Sequence, residues 1–152
     1  MIEIGDKAPS FSLNGSDGKR HALSEFKGRY LVLYFYPKDD TPGCTIEARR
    51  FSASLERIKK MGAEVVGVSK DDLKSHDKFR SKYSLKVLLL SDPSIKTIKK
   101  YGAWGDRGLF GVGALRKTFV IDRSGRIVKV YPKVQPDGHE KEIIKFLKSL
   151  AG

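Results

Sequence analysis

The only cysteine of this 152-residue sequence, Cys44, lies in a context that favours a reactive thiolate. It follows Thr41 and Pro42, at the point where an apolar segment gives way to a helical pattern. Thr is a good N-cap and Pro is tolerated at the first helical position, so Cys44 is predicted at the third. Unpaired backbone N–H groups and the positive end of the helix dipole stabilise an anion there.

Two further features bear on the charge of Cys44. The Thr41 hydroxyl is expected to face the thiol, in the place where a capping box has a Glu. Burial opposes ionisation, so a nearby cation is needed to hold the thiolate. A lone cysteine is more often a small buried hydrophobic residue, and only the position between a strand and a helix favours the reactive interpretation.

Two strong patterns position Cys44. Residues 30–36 form a continuous apolar and aromatic run, which predicts a strand buried on both faces and ended by Pro37. After it, apolar side chains recur at spacings of four and three and predict a helix that runs to Met61 and stops at Gly62; they are Cys44, Ala48, Phe51, Leu55 and Ile58.

The remaining sequence alternates strand and helix patterns. In chain order these are a hairpin within 11–23, a strand at 64–69, a helix at 71–83, a strand at 87–90, a short helix opened by Asp92 and Pro93 and reaching about Tyr101, a glycine-rich loop at 102–113, a hairpin of 117–121 and 126–131, and a helix at 137–150. The order predicts an α/β, thioredoxin-like fold, with a mixed central sheet, helices on both faces and an N-terminal β-hairpin. No linker or repeat divides the chain, so residues 1–152 are expected to form a single domain.

Composition limits the classes of function. There are 30 Lys and Arg against 18 Asp and Glu, a net charge of +12, but the basic residues are spread through every segment beside acids. A diffuse surplus gives salt-sensitive attraction to polyanions and argues against specific nucleic-acid binding. No apolar run reaches membrane-spanning length and no secretory signal is visible, so a cytoplasmic protein without a membrane partner is expected.

Metal and cofactor sites are not expected. A single cysteine excludes an internal disulfide and a Cys-x-x-Cys centre. His21, His76 and His139 are too dispersed for metal ligation, and all three are expected on the surface. No phosphate-binding glycine pattern follows a strand, so no nucleotide cofactor is expected.

The spacing of Pro37, Thr41 and Cys44, followed by Thr45 and Glu47, combines with the segment 116–122 that begins at Arg116. Together with the segments 5–11, 67–69 and 89–92, these residues resemble the peroxiredoxins, most closely the bacterioferritin comigratory protein or Q subfamily. The resemblance covers nearly the whole chain.

The resemblance implies a peroxidase that reduces hydrogen peroxide and organic hydroperoxides. Cys44 thiolate would attack the peroxide and become a sulfenic acid. Thr41 would orient sulfur and peroxide, and Pro37 would exclude water. Arg116 would supply the required cation and hold a peroxide oxygen, although an Arg in so basic a chain is usually a solvated surface charge.

Two more positions match the pattern. The backbone amides of Gly43 and Cys44 would complete a cradle for the developing oxyanion. Glu47 either contributes to the substrate site or simply pairs with a neighbouring arginine such as Arg50.

The sequence departs from the family in lacking a resolving cysteine. Many members carry this residue where the chain has Arg49, or on the next helix, where Arg80, Ser81 and Ser84 stand. The sequence leaves open whether a cysteine was replaced there. As it stands, it implies a one-cysteine enzyme, a monomer or weak dimer, recycled by an external thiol such as thioredoxin, glutaredoxin or a small thiol. The alternatives are a peroxide-sensing redox partner without efficient turnover, or a polyanion-binding module on the same scaffold.

Overall fold

A mixed sheet of seven strands lies at the centre of the structure, a computed structural model that describes residues 1–151. Its strands follow the order β2-β1-β5-β4-β3-β8-β9, and a separate pair is formed by β6 and β7. The strands are β1 (Ser12–Gly15), β2 (Arg20–Ala22), β3 (Tyr30–Phe35), β4 (Ala63–Ser69), β5 (Leu88–Ser91), β6 (Trp104–Asp106), β7 (Val112–Ala114), β8 (Lys117–Ile121) and β9 (Ile127–Tyr131). The helices are α1 (Pro42–Lys60), α2 (Leu73–Tyr83), α3 (Lys96–Lys100) and α4 (His139–Ala151).

Strand β3 is buried on both faces, as its apolar run predicts. Val32 and Tyr34 pack into a cluster with side chains of α1, α2 and α4. The alternate residues, Leu31 and Phe35, pack into a second cluster that contains Ile98 of α3. The α/β, thioredoxin-like expectation of a mixed central sheet with helices on both faces is therefore confirmed.

The N-terminal hairpin and helix α1 also have the predicted form. Strands β1 and β2 pair antiparallel, with Ser12 opposite Ala22. Helix α1 starts at Pro42 after the N-cap Thr41 and ends before Gly62, whose φ of +85° breaks the helix.

Two local predictions are wrong. The helix predicted from Asp92 begins only at Lys96, because Ile95 has a left-handed φ of +57° that a right-handed helix cannot contain. Asp92 instead accepts a hydrogen bond from the backbone N–H of Ile98 at 2.8 Å, in the first turn of that helix. The predicted loop 102–113 includes β6 and the first two residues of β7, and these paired strands are too short to show an alternating pattern in sequence.

The expectation that all three histidines are surface residues is wrong for two of them. His76 and His139 are 0% and 1% exposed, and both have each ring nitrogen within hydrogen-bond distance of a partner. Charged neighbours in α2 and α4 suggest solvated faces, but hydrogen bonds made with distant strands and loops allow these rings to be buried.

Among residues 1–151, no helix is both long and apolar enough to span a membrane.

Candidate active site

Cys44 lies in the first turn of α1, with its side chain turned into the core. Thr41 is the N-cap and Pro42 the first helical residue, so the thiol occupies the third helical position as predicted. Its side chain is 1% exposed and belongs to the cluster formed with Tyr34 and Phe51. The positive end of the helix dipole therefore meets the sulfur in a place of little solvent.

Arg116 brings a cation to this sulfur. Its Nη2 donates to Cys44 Sγ at 3.4 Å, and its Nη1 donates to Glu47 Oε1 at 2.9 Å. Strand β8 pairs antiparallel with β3, with Lys117 opposite Phe35, so the residue before Lys117 lies next to the loop that follows β3. The sheet register thus brings together two residues far apart in sequence.

Gly43 allows the guanidinium to approach the helix closely. A Cβ at this position would lie 3.0 Å from Arg116 Nη2 and 3.2 Å from Pro136 Cγ. Both distances are shorter than an ordinary van der Waals contact. A side chain here would therefore press on the group that contacts the sulfur.

Glu47 is buried beneath the arginine, with 1% of its side chain exposed. Burial raises the pKa of Glu47 to about 7, even though the charge and hydrogen bond of Arg116 act to lower it. Its second oxygen, Oε2, has no hydrogen-bond partner, and neither has the buried hydroxyl of Tyr34. Burial raises the pKa of Tyr34, and the nearby Glu47 charge raises it further.

Glu47 does not pair with Arg50, which contacts Asp137 at 3.3 Å instead. The pairing with Arg116 crosses from α1 to the residue before β8. The two charges of Cys44 and Glu47 also act on the guanidinium: burial alone would lower the pKa of Arg116, but they raise it overall.

Thr41 makes no side-chain hydrogen bond to the first turn of α1, where Cys44 lies. Its hydroxyl instead donates to the backbone carbonyl of Lys38 at 2.8 Å. That bond uses the single proton of the hydroxyl and leaves its lone pairs to accept a donor. Pro37 is buried in the same loop, just beyond the end of β3.

Sequence reasoning missed the contacts that hold this loop. Asp39 is buried and binds His76 of α2, while Asp40 binds Tyr83 at the other end of the same helix. Adjacent aspartates between a strand and a helix indicate a turn, but only the folded chain shows which residues they bind.

The site residues form a thiol site and no metal site. Within residues 1–151 no group of three or more His, Cys, Asp or Glu side chains is arranged to hold a metal ion. A cavity of about 710 Å³ lies elsewhere, between the N-terminal segment and the turn that follows β8, and no predicted site residue lines it. The site therefore combines a thiol at a helix N-terminus with a guanidinium whose N–H groups can donate to an oxyanion.

Comparisons with known proteins agree with this chemistry. Residues 4–130 match the model of the AhpC/TSA family. A putative peroxiredoxin Bcp of Coxiella burnetii is 45% identical over 146 residues, covering 94% of this chain and 97% of that protein. Peroxiredoxin Bcp of Bacillus subtilis is 43% identical over 153 residues, covering 99% and 98%.

Solved structures of bacterial peroxiredoxins are also similar to this chain. A cysteine-to-serine variant of Xylella fastidiosa PrxQ superposes with a TM-score of 0.96 at 34% identity, covering 100% of this chain and 99% of that one. A Xanthomonas campestris bacterioferritin comigratory protein, described for its alkyl peroxide reduction activity, gives 0.90 at 34% identity, covering 100% and 99%. The chain therefore belongs to the AhpC/TSA family, among the peroxiredoxins of the Bcp/Q type, which are thiol-dependent peroxidases.

Proposed function

We propose that Cys44 is the residue that reduces the hydroperoxide. Its thiolate attacks the terminal oxygen of ROOH, so that an S–O bond forms as the O–O bond breaks. The leaving alkoxide takes up a proton and departs as the alcohol, or as water from hydrogen peroxide, and the sulfur becomes a sulfenic acid. The contact of 3.4 Å between Arg116 Nη2 and Cys44 Sγ, at a helix N-terminus, is the observation that carries this proposal.

The surrounding residues take the roles that their positions allow. Arg116 stabilises the thiolate and then the charge that develops on the leaving oxygen. The backbone N–H groups of Gly43 and Cys44 add donors at the end of α1. Thr41 accepts a hydrogen bond from the peroxide, and the buried ring of Pro37 keeps water from the sulfur without offering a competing N–H.

Glu47 orients the arginine in this proposal. It accepts from Nη1 and so directs the other amino group, Nη2, towards the sulfur. A carboxylate with a pKa of about 7 is only partly ionised at neutral pH, so it neutralises the guanidinium incompletely and leaves charge for the thiolate.

Recovery of the thiol requires a second molecule. The sequence has no second cysteine, so the sulfenic acid condenses with an external thiol, releasing water and leaving a mixed disulfide. Another thiol then reduces that disulfide. Thioredoxin, glutaredoxin and small thiols of the cytoplasm are suitable reductants, and a monomer or weak dimer meets the needs of this cycle.

A second candidate is a peroxide sensor that uses the same oxidation of Cys44 without efficient turnover. The missing resolving thiol favours it, because an oxidised Cys44 persists until a partner arrives. The two functions share the oxidation step and differ in how quickly the sulfenic acid is reduced again.

Intact mass after one equivalent of hydroperoxide tests the cycle. We expect a gain of one oxygen at Cys44, capture by a sulfenic-acid reagent, and return to the reduced mass with dithiothreitol or thioredoxin. Cys44→Ser should show none of these changes. Continuous peroxide consumption with reductant supports the peroxidase, slow regeneration with every reductant supports the sensor, and an unmodified Cys44 refutes the proposal.

A further inference from the structure

Helix α2 holds the loop between β3 and α1 at two successive residues. Asp39 is bound from the first turn of α2, and Asp40 is bound from its last turn. This loop carries Pro37 and Thr41 and leads directly into the turn that contains Cys44. A helix remote in sequence therefore fixes the loop that shapes the candidate active site.

Both oxygens of the buried Asp39 carboxylate are within hydrogen-bond distance of partners. Oδ1 accepts from the Tyr36 hydroxyl at 2.6 Å. Oδ2 lies 2.8 Å from the Ser75 hydroxyl, which donates to it, and 2.6 Å from His76 Nδ1. The backbone N–H of Asp39 donates to Asp71 Oδ2 at 2.9 Å. A buried side chain with this many hydrogen-bond partners is held in one position.

His76 lies between two acceptors. Its Nδ1 faces Asp39, and its Nε2 lies 3.0 Å from the backbone carbonyl oxygen of Leu90 on β5. Only the imidazolium donates from both nitrogens. Burial lowers the pKa of His76, but the hydrogen bond and charge of Asp39, with smaller contributions from the Leu90 carbonyl and the Asp71 charge, raise it overall.

Asp40 is the second point of attachment. Its φ is +56°, a left-handed conformation that Asp tolerates better than most residues. The Tyr83 hydroxyl donates to Oδ1 at 2.7 Å, and Lys82 Nζ donates to Oδ2 at 2.8 Å. The residue that turns the chain into α1 is therefore held in place by α2.

We propose that α2 is a brace for the peroxide step, and that His76 and Tyr83 are positioning residues that act through Asp39 and Asp40. The proposal rests on the proposed role of Cys44. Without the brace the loop departs from the conformation that sets Thr41 as the N-cap and so positions the first turn of α1, which carries Cys44. A loop that samples several conformations lowers the rate of attack because fewer molecules present the reactive geometry.

The exposed attachment gives the first test. Asp40→Gly keeps the left-handed conformation and removes the carboxylate, whereas Asp40→Asn keeps both the conformation and an acceptor for Tyr83. The second-order rate constant for oxidation of Cys44 by hydrogen peroxide is measured in single turnover. We expect Asp40→Gly to lose roughly three- to tenfold, the value of one or two hydrogen bonds, and Asp40→Asn to keep most of the rate.

The buried attachment gives the second test. His76→Asn keeps a donor where Nδ1 lies, and His76→Leu has none. We expect the Leu variant to lose more rate than the Asn variant. The wild-type rate should fall on the alkaline side as His76 loses its second proton and one hydrogen bond, and His76→Asn should lack this fall because an amide does not titrate.

Unfolding midpoints separate positioning from loss of stability. Tyr101→Phe removes a buried hydroxyl bound to the Pro9 carbonyl, away from this loop, and should lower stability while leaving the rate intact. If His76→Leu does not fold, the oxidation rates of Asp40→Gly and Asp40→Asn test the brace on their own. Folded Asp40→Gly or His76→Leu reacting as fast as wild type overturns the brace, whereas an unreactive Cys44 in the wild type overturns the proposed function itself.

Discussion

A single guanidinium serves two acceptors in the candidate site. Arg116 donates from Nη2 to the sulfur of Cys44 and from Nη1 to the buried carboxyl of Glu47. The planar fork of Arg makes this possible, whereas the compact ammonium of Lys lacks two fixed, parallel donors. The orientation of the cation therefore depends on Glu47 as much as on the sulfur.

Glu47 should make stability depend on pH. Between the ordinary value of 4.5 and its raised pKa of about 7, the folded chain keeps the Glu47 proton that the unfolded chain has released. Stability contributed by this group therefore falls as pH rises through that window, by at most ~3 kcal/mol. Glu47→Gln should remove this loss, as measured by urea unfolding at a series of pH values.

Glu56→Gln is the matched control, because Glu56 is exposed on the same helix. The free energy of unfolding of Glu56→Gln should change with pH in the same way as that of the wild type. Equal slopes for wild type and Glu47→Gln would mean that Glu47 is already ionised in the folded protein at low pH, and would contradict the effect of burial.

At the scale of elements, the start of α1 is built around a glycine. The Cβ introduced by Gly43→Ala would lie 3.0 Å from Arg116 Nη2 and must displace the guanidinium by a few tenths of an ångström. Ala favours a helix over Gly by ~1 kcal/mol, and this gain offsets the cost of the close contact, so the free energy of unfolding should change little. We expect the rate of Cys44 oxidation to fall roughly three- to tenfold, measured in single turnover.

Gly62→Ala provides the opposite change at the other end of α1. Gly62 has a φ of +85°, so Ala there strains the backbone and should lower the unfolding midpoint without affecting the rate. A Gly43→Ala variant with full activity would show that the contact between Arg116 and Cys44 tolerates displacement.

The elements differed in how well the sequence predicted them. Strand β3 and helix α1 carry continuous apolar and periodic patterns, so their positions and the place of Cys44 could be predicted from local signals. Strands β6 and β7 could not, because three-residue strands show no period. The start of α3 could not be predicted either, because it depends on the left-handed conformation of Ile95, which the sequence gives no reason to expect.

The side-chain partners were less predictable than the elements. Arg116 could be linked to Cys44 only through a family resemblance, since their contact depends on the pairing of β3 with β8. The burial of His76 depends on Asp39 and on the Leu90 carbonyl, which come from two other parts of the chain. Contacts of this kind arise from tertiary structure and leave no local pattern.

At the scale of the whole molecule, the position of β3 in the sheet explains how the site is assembled. It lies between β4 and β8, so its end adjoins both the start of β8 with Arg116 and the segment after β4 that leads into α2. Arg116, Cys44 and the N-terminal end of α2 therefore meet at the same end of the central strands. In the proposed cycle, the single cysteine of the sequence makes an external thiol necessary to reduce Cys44 again.

The rate of the first step tests the central claim most directly. The measurement is the second-order rate constant for hydrogen peroxide with the reduced protein, compared with free cysteine and with Arg116→Lys under the same conditions. An activated thiolate should react orders of magnitude faster than free cysteine, and Arg116→Lys should lose at least roughly tenfold because the fork contacting both Cys44 and Glu47 is gone. A wild-type rate equal to that of free cysteine would contradict the account.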